Sequence, residues 1–454
     1  MFIFQEKKIM SDFNSMSREN KKQRLRQRVV TNPAWSEEKS SSGGQGSYSE
    51  PQGRQRQQNR PMPYEEDGEE AARRALKKAR GRRLLTAAAV VLLLGGAAGG
   101  WFYYQRNYSY TSYETVWQAD LNQGSLVGYE SFGSNVLKYT KDGASYIDAK
   151  GKSVWTESFE MKNPIVAVNG AYAVIADRQG NSIYICGENG RVGQASTVLP
   201  ITRVAISATG ITAAVLEDST SSYIVFFRRD GTQLEVTVKT VMGGDGYPMD
   251  ISLSQDGTQL MCSYAYIESG ELRSRVVFYD FSEVGKSVPN RLVGGFDDIF
   301  AGTMVPEVTY MEAPYSCAFS GNGLSFFTSR NLASPELITQ VTVEEEIQSV
   351  FSSDEYAAVI AQNTTGEYSR RLMVYEKDGT PVFTREFNYE YTHADIDGDL
   401  IILYNEDSCR IFNTAGVEKL YATFDFAVSK IRKGRMPDTL IVTGPQQMRE
   451  IKLR

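Results

Sequence analysis

A strand, a tight turn ending in glycine and a second strand recur through residues 113–454 at intervals near forty residues, and this recurrence limits the fold more than any other feature. The copies are SYIDAKG ending at Gly151, SIYICGENG at Gly190, YIVFFRRDG at Gly231, RVVFYDFSEVG at Gly285, LMVYEKDG at Gly379 and CRIFNTAG at Gly416. Gly151, Gly190 and Gly231 are 39 and 41 residues apart, Gly379 and Gly416 are 37 apart, and the 94 residues from Gly285 to Gly379 leave room for two units. The runs are rich in Val, Ile, Tyr and Phe, and nothing sustains a helical period. One unit divides into strands at Pro164–Asn169, Ala171–Asp177, Ser182–Gly187 and Arg191–Leu199. Units of about forty residues with four short strands are the mark of propeller blades.

Further units fit at Gly124–Phe159, Ile201–Val241, Pro248–Gly295, Met304–Val343, Ile347–Phe387 and Tyr391–Phe424, which makes seven. The tail Ala427–Arg454 has only three strands, and ETVWQAD (Glu114–Asp120) stands alone before the first unit. Pairing these leftovers closes the ring and removes two sheet edges that would otherwise be open to aggregation. The expectation is an all-β, eight-bladed β-propeller over residues 114–454, with seven blades as the fallback.

Residues 84–104, LLTAAAVVLLLGGAAGGWFYY, contain no charge and have the length of a transmembrane helix, with Trp101 to Tyr104 as an interfacial aromatic belt. Arg73, Arg74, Lys77, Lys78, Arg80, Arg82 and Arg83 precede it and Arg106 alone follows closely. Basic flanks stay inside, so residues 1–83 are expected in the cytoplasm and the C-terminal domain in the extracytoplasmic space of the cell membrane. Cleavage as a signal peptide would need an 83-residue basic region before the apolar core, and a core helix would need a polar face. Residues 1–64, rich in Gln, Arg, Ser, Gly and Pro, are expected to be disordered. Glu69–Arg83 reads as a juxtamembrane helix whose cations can contact anionic lipid, and residues 105–113 read as a linker. Gly95 with Gly99, and Gly96 with Gly100, permit helix pairing.

Charge divides with the span. Residues 1–83 hold 19 Lys plus Arg against 11 Asp plus Glu, which leaves 30 and 44 of the totals of 49 and 55 for the rest, a net of −14. Such a surface repels nucleic acid and favours cationic or neutral partners.

The stretch Tyr146-Ile147-Asp148-Ala149-Lys150-Gly151-Lys152-Ser153-Val154-Trp155 resembles the repeat of quinoprotein-type (PQQ-like, WD40-like) propellers, in which an Asp-Ala-x-x-Gly-Lys turn leads to a tryptophan docked between blades. The turn here is one residue shorter, and VYEKDGTPVF and RIFNTAGVEKLY place Phe383 or Tyr421 near the tryptophan position. The layout of basic tail, span and propeller also resembles a poorly characterised family of membrane-anchored propellers from Gram-positive bacteria. The resemblance implies a fold and no reaction.

The chemistry is sparse. His393 is the only histidine, and Cys186, Cys262, Cys317 and Cys409 lie far apart in apolar runs, so neither a Ser-His-Asp triad nor a zinc site is expected, and buried thiols are favoured over disulfides. Gly151-Lys152-Ser153 and Gly285-Lys286-Ser287 lack the glycine of a phosphate loop, since Tyr146 and Asp280 stand five positions earlier; both read as turns. Asp395-Ile396-Asp397-Gly398-Asp399 with Glu406 has calcium-loop spacing, but Leu400 occupies the glycine position and a hairpin is the favoured reading. Neither a metal nor a cofactor is expected.

Connections between blades cluster on one face of a propeller. Three of them bring Tyr247, Phe296, Asp297, Asp298, Phe300, Tyr389, Tyr391 and His393 to a candidate ligand-binding face, where aromatic rings and carboxylates suit a peptide or sugar; local packing under the loops is the other reading. The functional expectation is a non-enzymatic binding or scaffold module for an extracytoplasmic protein, peptide or cell-wall glycan. The alternative is a quinoprotein-type oxidoreductase or carboxylate-based hydrolase acting in the channel.

Overall fold

The computed structural model describes residues 67–121 and 126–454, with side chains described from residue 85 onward apart from Leu126, and for Arg73 before it. The expectations for residues 1–64 lie outside the described residues. Two units are distinguished, one ending at Leu84 and one of residues 85–454. The second contains an eight-bladed β-propeller, every blade a four-stranded antiparallel sheet. Within each blade we call the strands A, B, C and D from the channel outward. The A strands are Leu126–Phe132, Pro164–Asn169, Ile201–Ile206, Tyr247–Leu253, Glu307–Tyr310, Ile347–Ser352, His393–Asp397 and Lys430–Lys433, for blades 1 to 8.

Blade 8 closes the ring. Its D strand is Tyr113–Asp120, antiparallel to Gln447–Leu453 from Tyr113 opposite Leu453 to Asp120 opposite Gln447. Alternating strand direction puts all A–B and C–D turns on one face and all B–C and D–A connections on the other.

There is no single core. Eight apolar layers lie between successive blades, such as Phe132, Leu137, Tyr146 and Ile175 between blades 1 and 2, and Leu121, Tyr129, Ile441 and Met448 between blades 1 and 8. All four cysteines are buried, unpaired members of B or C strands. Trp155 stacks on Tyr146 with centroids 5.7 Å apart and donates from its indole nitrogen to Glu188 O of blade 2 at 3.2 Å, so it docks between blades.

The repeat glycine has two reasons to be glycine. In the C–D turns an Asp or Asn side chain accepts backbone N–H groups, as Asp148 Oδ1 does from Lys150 and Lys152, and the glycine that follows takes positive φ. At Gly231 (φ 87°) a Cβ would stand 2.1 Å from Gln194 O of the preceding blade. Gly231→Ala combines left-handed strain with a backbone clash and is expected to cost about 2–4 kcal/mol in urea unfolding. A loss below about 0.5 kcal/mol would remove the blade-to-blade role.

Among the described residues one helix, Asp67–Asn107, precedes the propeller, and its Leu85–Asn107 part has a mean hydropathy of 1.8 with none of it buried. At roughly 35 Å this segment is long and apolar enough to cross a bilayer. It continues past the expected end at Tyr104, and residues 108–112 are hydrogen-bonded to the propeller through Tyr110 N to Lys419 O and Thr111 N to Arg454 O. The expected linker is therefore helix followed by docked chain.

Candidate functional site

All eight candidate residues belong to D–A connections or the strand ends beside them, and so share one face. Tyr247 opens the A strand of blade 4 and its hydroxyl donates to Glu217 Oε2 at 3.4 Å. Phe300 is fully buried, and Phe296 packs on Phe327 and Phe278 with centroids 4.8 and 6.0 Å away; both fill the layer between blades 4 and 5. Asp297 accepts from Asp298 N at 3.0 Å at the start of a short 3₁₀ turn, and both carboxylates are exposed. Tyr389 is buried, its hydroxyl 3.2 Å from Ser408 Oγ. The candidates that pack locally are thus Phe296, Phe300 and Tyr389.

Tyr391 and His393 remain nearer the surface. The Tyr391 hydroxyl donates to Ser349 Oγ at 2.9 Å, and the Arg370 guanidinium lies 5.6 Å from its ring centroid. Arg370 also bridges Gln348, Tyr389 O and both carboxylate oxygens of Glu390, which pins the connection between blades 6 and 7. His393 is exposed and stacked on Tyr404 at 5.0 Å; burial of its inner edge and the Lys430 charge lower its pKa against the opposing pull of Asp395. No hydrogen bond or ring contact among the described residues joins the Tyr391–His393 group to Tyr247 or to the Phe296–Phe300 group.

All eight A strands line a central channel of about 680 Å³. Lys430 stands in it between Asp395 (2.6 Å) and Glu130 (3.7 Å). Burial works against the charge on Lys430, yet the two carboxylates outweigh it and hold its pKa above the usual lysine value, while burial raises Glu130 against the pull of Lys430. The Asp395–Asp399 segment is a hairpin, as favoured from its sequence, with Asp397 and Asp399 bound to Lys433 and Arg432. Among the described residues no group of three or more His, Cys, Asp or Glu side chains has a metal-binding arrangement. Of the two Gly-Lys-Ser triplets, Gly151-Lys152-Ser153 closes a C–D turn, whereas Gly285–Ser287 is a 3₁₀ turn within a longer connection.

A second carboxylate pair spans the A strands of blades 4 and 5. Asp250 Oδ2 accepts from Val308 N at 3.0 Å, and Arg203 Nε is 4.0 Å from its other oxygen. Burial raises Asp250 to about 6, and burial together with the Asp250 charge raises Glu307 to about 7. Both groups keep protons in the folded state that the unfolded chain releases near pH 4, so folding stability falls as pH rises from about 4.5 through 7. Glu307→Gln should flatten this dependence and gain about 2 kcal/mol at pH 8, read from urea unfolding at pH 5 and 8. Equal pH slopes in variant and parent would contradict the assignment.

The B–C hairpin of blade 4 departs most from the repeat. Its strands, Gln259–Glu268 and Glu271–Asp280, have ten residues each, against five to seven in most B and C strands. The A strand pairs only as far as Ala265 and the D strand only as far as Val276. Residues 266–273 therefore extend beyond the paired parts of the A and D strands, whereas Ser274 is buried and accepts from Val305 N at 3.2 Å; at the tip Ile267, 75% exposed, faces Leu272, 57% exposed. Arg275 steadies the stem by lying 4.2 Å from the Tyr266 ring centroid and donating to Gly244 O. The extra length was visible as the longest of the sequence units; the exposure of its tip was not.

Residues 106–453 match the model of a family of unknown function, DUF5711. No curated protein sequence matches the chain. Among solved structures, Sqt1 from Chaetomium thermophilum bound to the N-terminus of the ribosomal protein L10 is 10% identical, with a TM-score of 0.51, covering 75% of this chain and 100% of that one. Sqt1 alone gives 9% identity and a TM-score of 0.52 over 76% and 100%. BamB from Moraxella catarrhalis gives 13% identity and a TM-score of 0.45 over 75% and 100%. At such identities the likeness concerns the fold.

Proposed function

Because the chain belongs to the DUF5711 family, which brings no established activity with it, we propose from its own geometry that it is a single-pass membrane protein whose extracytoplasmic propeller is a binding module for a protein partner. The projecting blade-4 hairpin carries this reading. An apolar pair held out in water at the tip of a stiff two-stranded ribbon costs solubility, and the free ribbon edges offer backbone groups to an added strand. The hairpin also lies on the face away from the helix, and so away from the bilayer. The complex of Sqt1 with a protein N-terminus is an instance of a propeller of this fold holding a polypeptide, and it supports the choice of a protein over a small molecule. We propose a binding role without catalysis for this module.

The test is site-specific photocrosslinking in intact cells, with the crosslinker at position 267, at 272, or at exposed Val154 on the flank of blade 1. Discrete protein adducts are expected from 267 and 272 and not from 154; Leu272→Asp should abolish the adduct from 267, and Ile267→Asp that from 272, while leaving the thermal melt within about 2 °C. Adducts of equal yield from all three positions, or none from the hairpin, would sink the reading.

A further inference from the structure

The helix is fastened to the propeller by a buried charge. Lys419, in the D strand of blade 7 and only 6% exposed, donates from Nζ to Gln105 O at 2.8 Å and to Tyr108 O, with the Tyr110 ring centroid 5.1 Å away. Asn413 donates from Nδ2 to Arg106 O at 2.6 Å, and Ser109 Oγ donates to Glu418 O at 2.6 Å. The helix cannot pair its last carbonyls internally, and the negative end of its dipole favours a cation. Lys419 supplies both needs.

This joint fixes an orientation. Asn413 and Glu418 flank the C–D turn of blade 7, so the helix meets the face formed by A–B and C–D turns. Trp101, Phe102, Tyr103 and Tyr104 are exposed on the helix, and Gln105, the next residue, is already bound by Lys419. A single helical residue rises about 1.5 Å, so an aromatic belt at headgroup depth leaves no tether on which the propeller could swing.

Close to the helix exit on the same face is the A–B turn of blade 8. Asp438 O accepts from Leu453 N, and Arg454, the next residue, exchanges backbone bonds with Ser112. Arg435, Met436 and Pro437 at this turn are exposed, Met436 by 59%, and the turn is braced by Thr439 N to Met436 O at 3.1 Å. A methionine held out next to Arg435 in the chain, both side chains exposed, suits the boundary of acyl chains and phosphate headgroups.

We propose that the blade-8 A–B turn, through Met436 and Arg435, is a lipid-headgroup contact that seats the propeller on the bilayer, with the Lys419 joint holding it there. The proposal rests on the helix spanning the membrane. All four native cysteines are fully buried, so a cysteine introduced at Met436 or Leu272 is the one reactive thiol. The full chain carrying either Met436→Cys or Leu272→Cys is labelled with a fluorophore and reconstituted into phosphatidylcholine–phosphatidylglycerol vesicles containing headgroup spin-labelled lipid. Quenching at 436 is expected to exceed that at 272 at least threefold, and Lys419→Ala should reduce the ratio. If Lys419→Ala fails to fold, the two labels in the native background decide alone. Equal quenching at both positions in chain that resists carbonate extraction would overturn the seat while leaving the span. Extraction by carbonate would overturn the span and the seat together.

Discussion

A propeller that begins after Asp120 should not hold together, whereas one that begins at Tyr108 should fold and stay monomeric. Among the described residues Tyr113–Asp120 is the only strand donated across the ring, and without it Gln447–Leu453 becomes an unpaired edge. The loss also takes away the bond from Trp117 Nε1 to Glu450 Oε2 (2.6 Å) and the ion pair of Arg454 with Glu114. With it goes the surface against which Gly151 packs at Ala119. Eight residues of backbone pairing, together with the Tyr113 and Trp117 rings that pack against two interblade layers, should amount to about 5 kcal/mol or more, comparable with the whole stability of a domain. Size-exclusion chromatography and thermal unfolding of the two forms test this. A shorter form that stays monomeric and melts within about 3 °C of the longer one would show that ring closure is not what stabilises the domain.

Lys430→Met should be the most damaging single substitution in the channel. Lys430 is 12% exposed, and its removal leaves Asp395, 29% exposed, and Glu130, 40% exposed, facing each other without a cation. Breaking a buried pair typically costs about 3–5 kcal/mol; the partial exposure of Glu130 places the expectation near the lower end, about 3 kcal/mol at pH 7.5. The pH dependence identifies the cause. Burial already holds Glu130 above the usual carboxylate range with Lys430 opposing it, so without the lysine its folded pKa rises further. A raised folded pKa means the penalty grows as pH climbs through it and fades as pH falls toward 4.5. Urea unfolding at pH 4.5 and 7.5 should therefore show the variant recovering relative to the parent at the lower pH. Adding Glu130→Gln and Asp395→Asn should restore part of the loss at pH 7.5. A penalty that does not change with pH would assign the role of Lys430 to packing.

The residues that locate the fold and those that locate the site differ in how far their signals reach. The Asp-Gly turns at Asp148–Gly151, Asp230–Gly231 and Asp378–Gly379 and the period-two strands around them are local, and they placed the blades close to where they stand. The missing D strand of blade 8 could be read too, because three strands at one end and one at the other leave a single way to avoid free edges. The candidate face was legible only as a set of loops. Phe296, Phe300 and Tyr389 turned inward because aromatic rings bury more area against neighbouring blades than in water, whereas Tyr391 and His393 stayed near the surface.

The amino-acid order determined the number of blades, the ring closure and one apolar helix, since each depends on the pattern within a few dozen residues. The tertiary structure alone decided that Lys419 meets the helix end more than 300 positions earlier, that Lys430 meets Glu130 across the ring, and that the blade-4 hairpin stands clear of its neighbours. Such meetings follow from the curvature of a closed ring, which brings chain ends together by packing and leaves no periodic trace in the sequence.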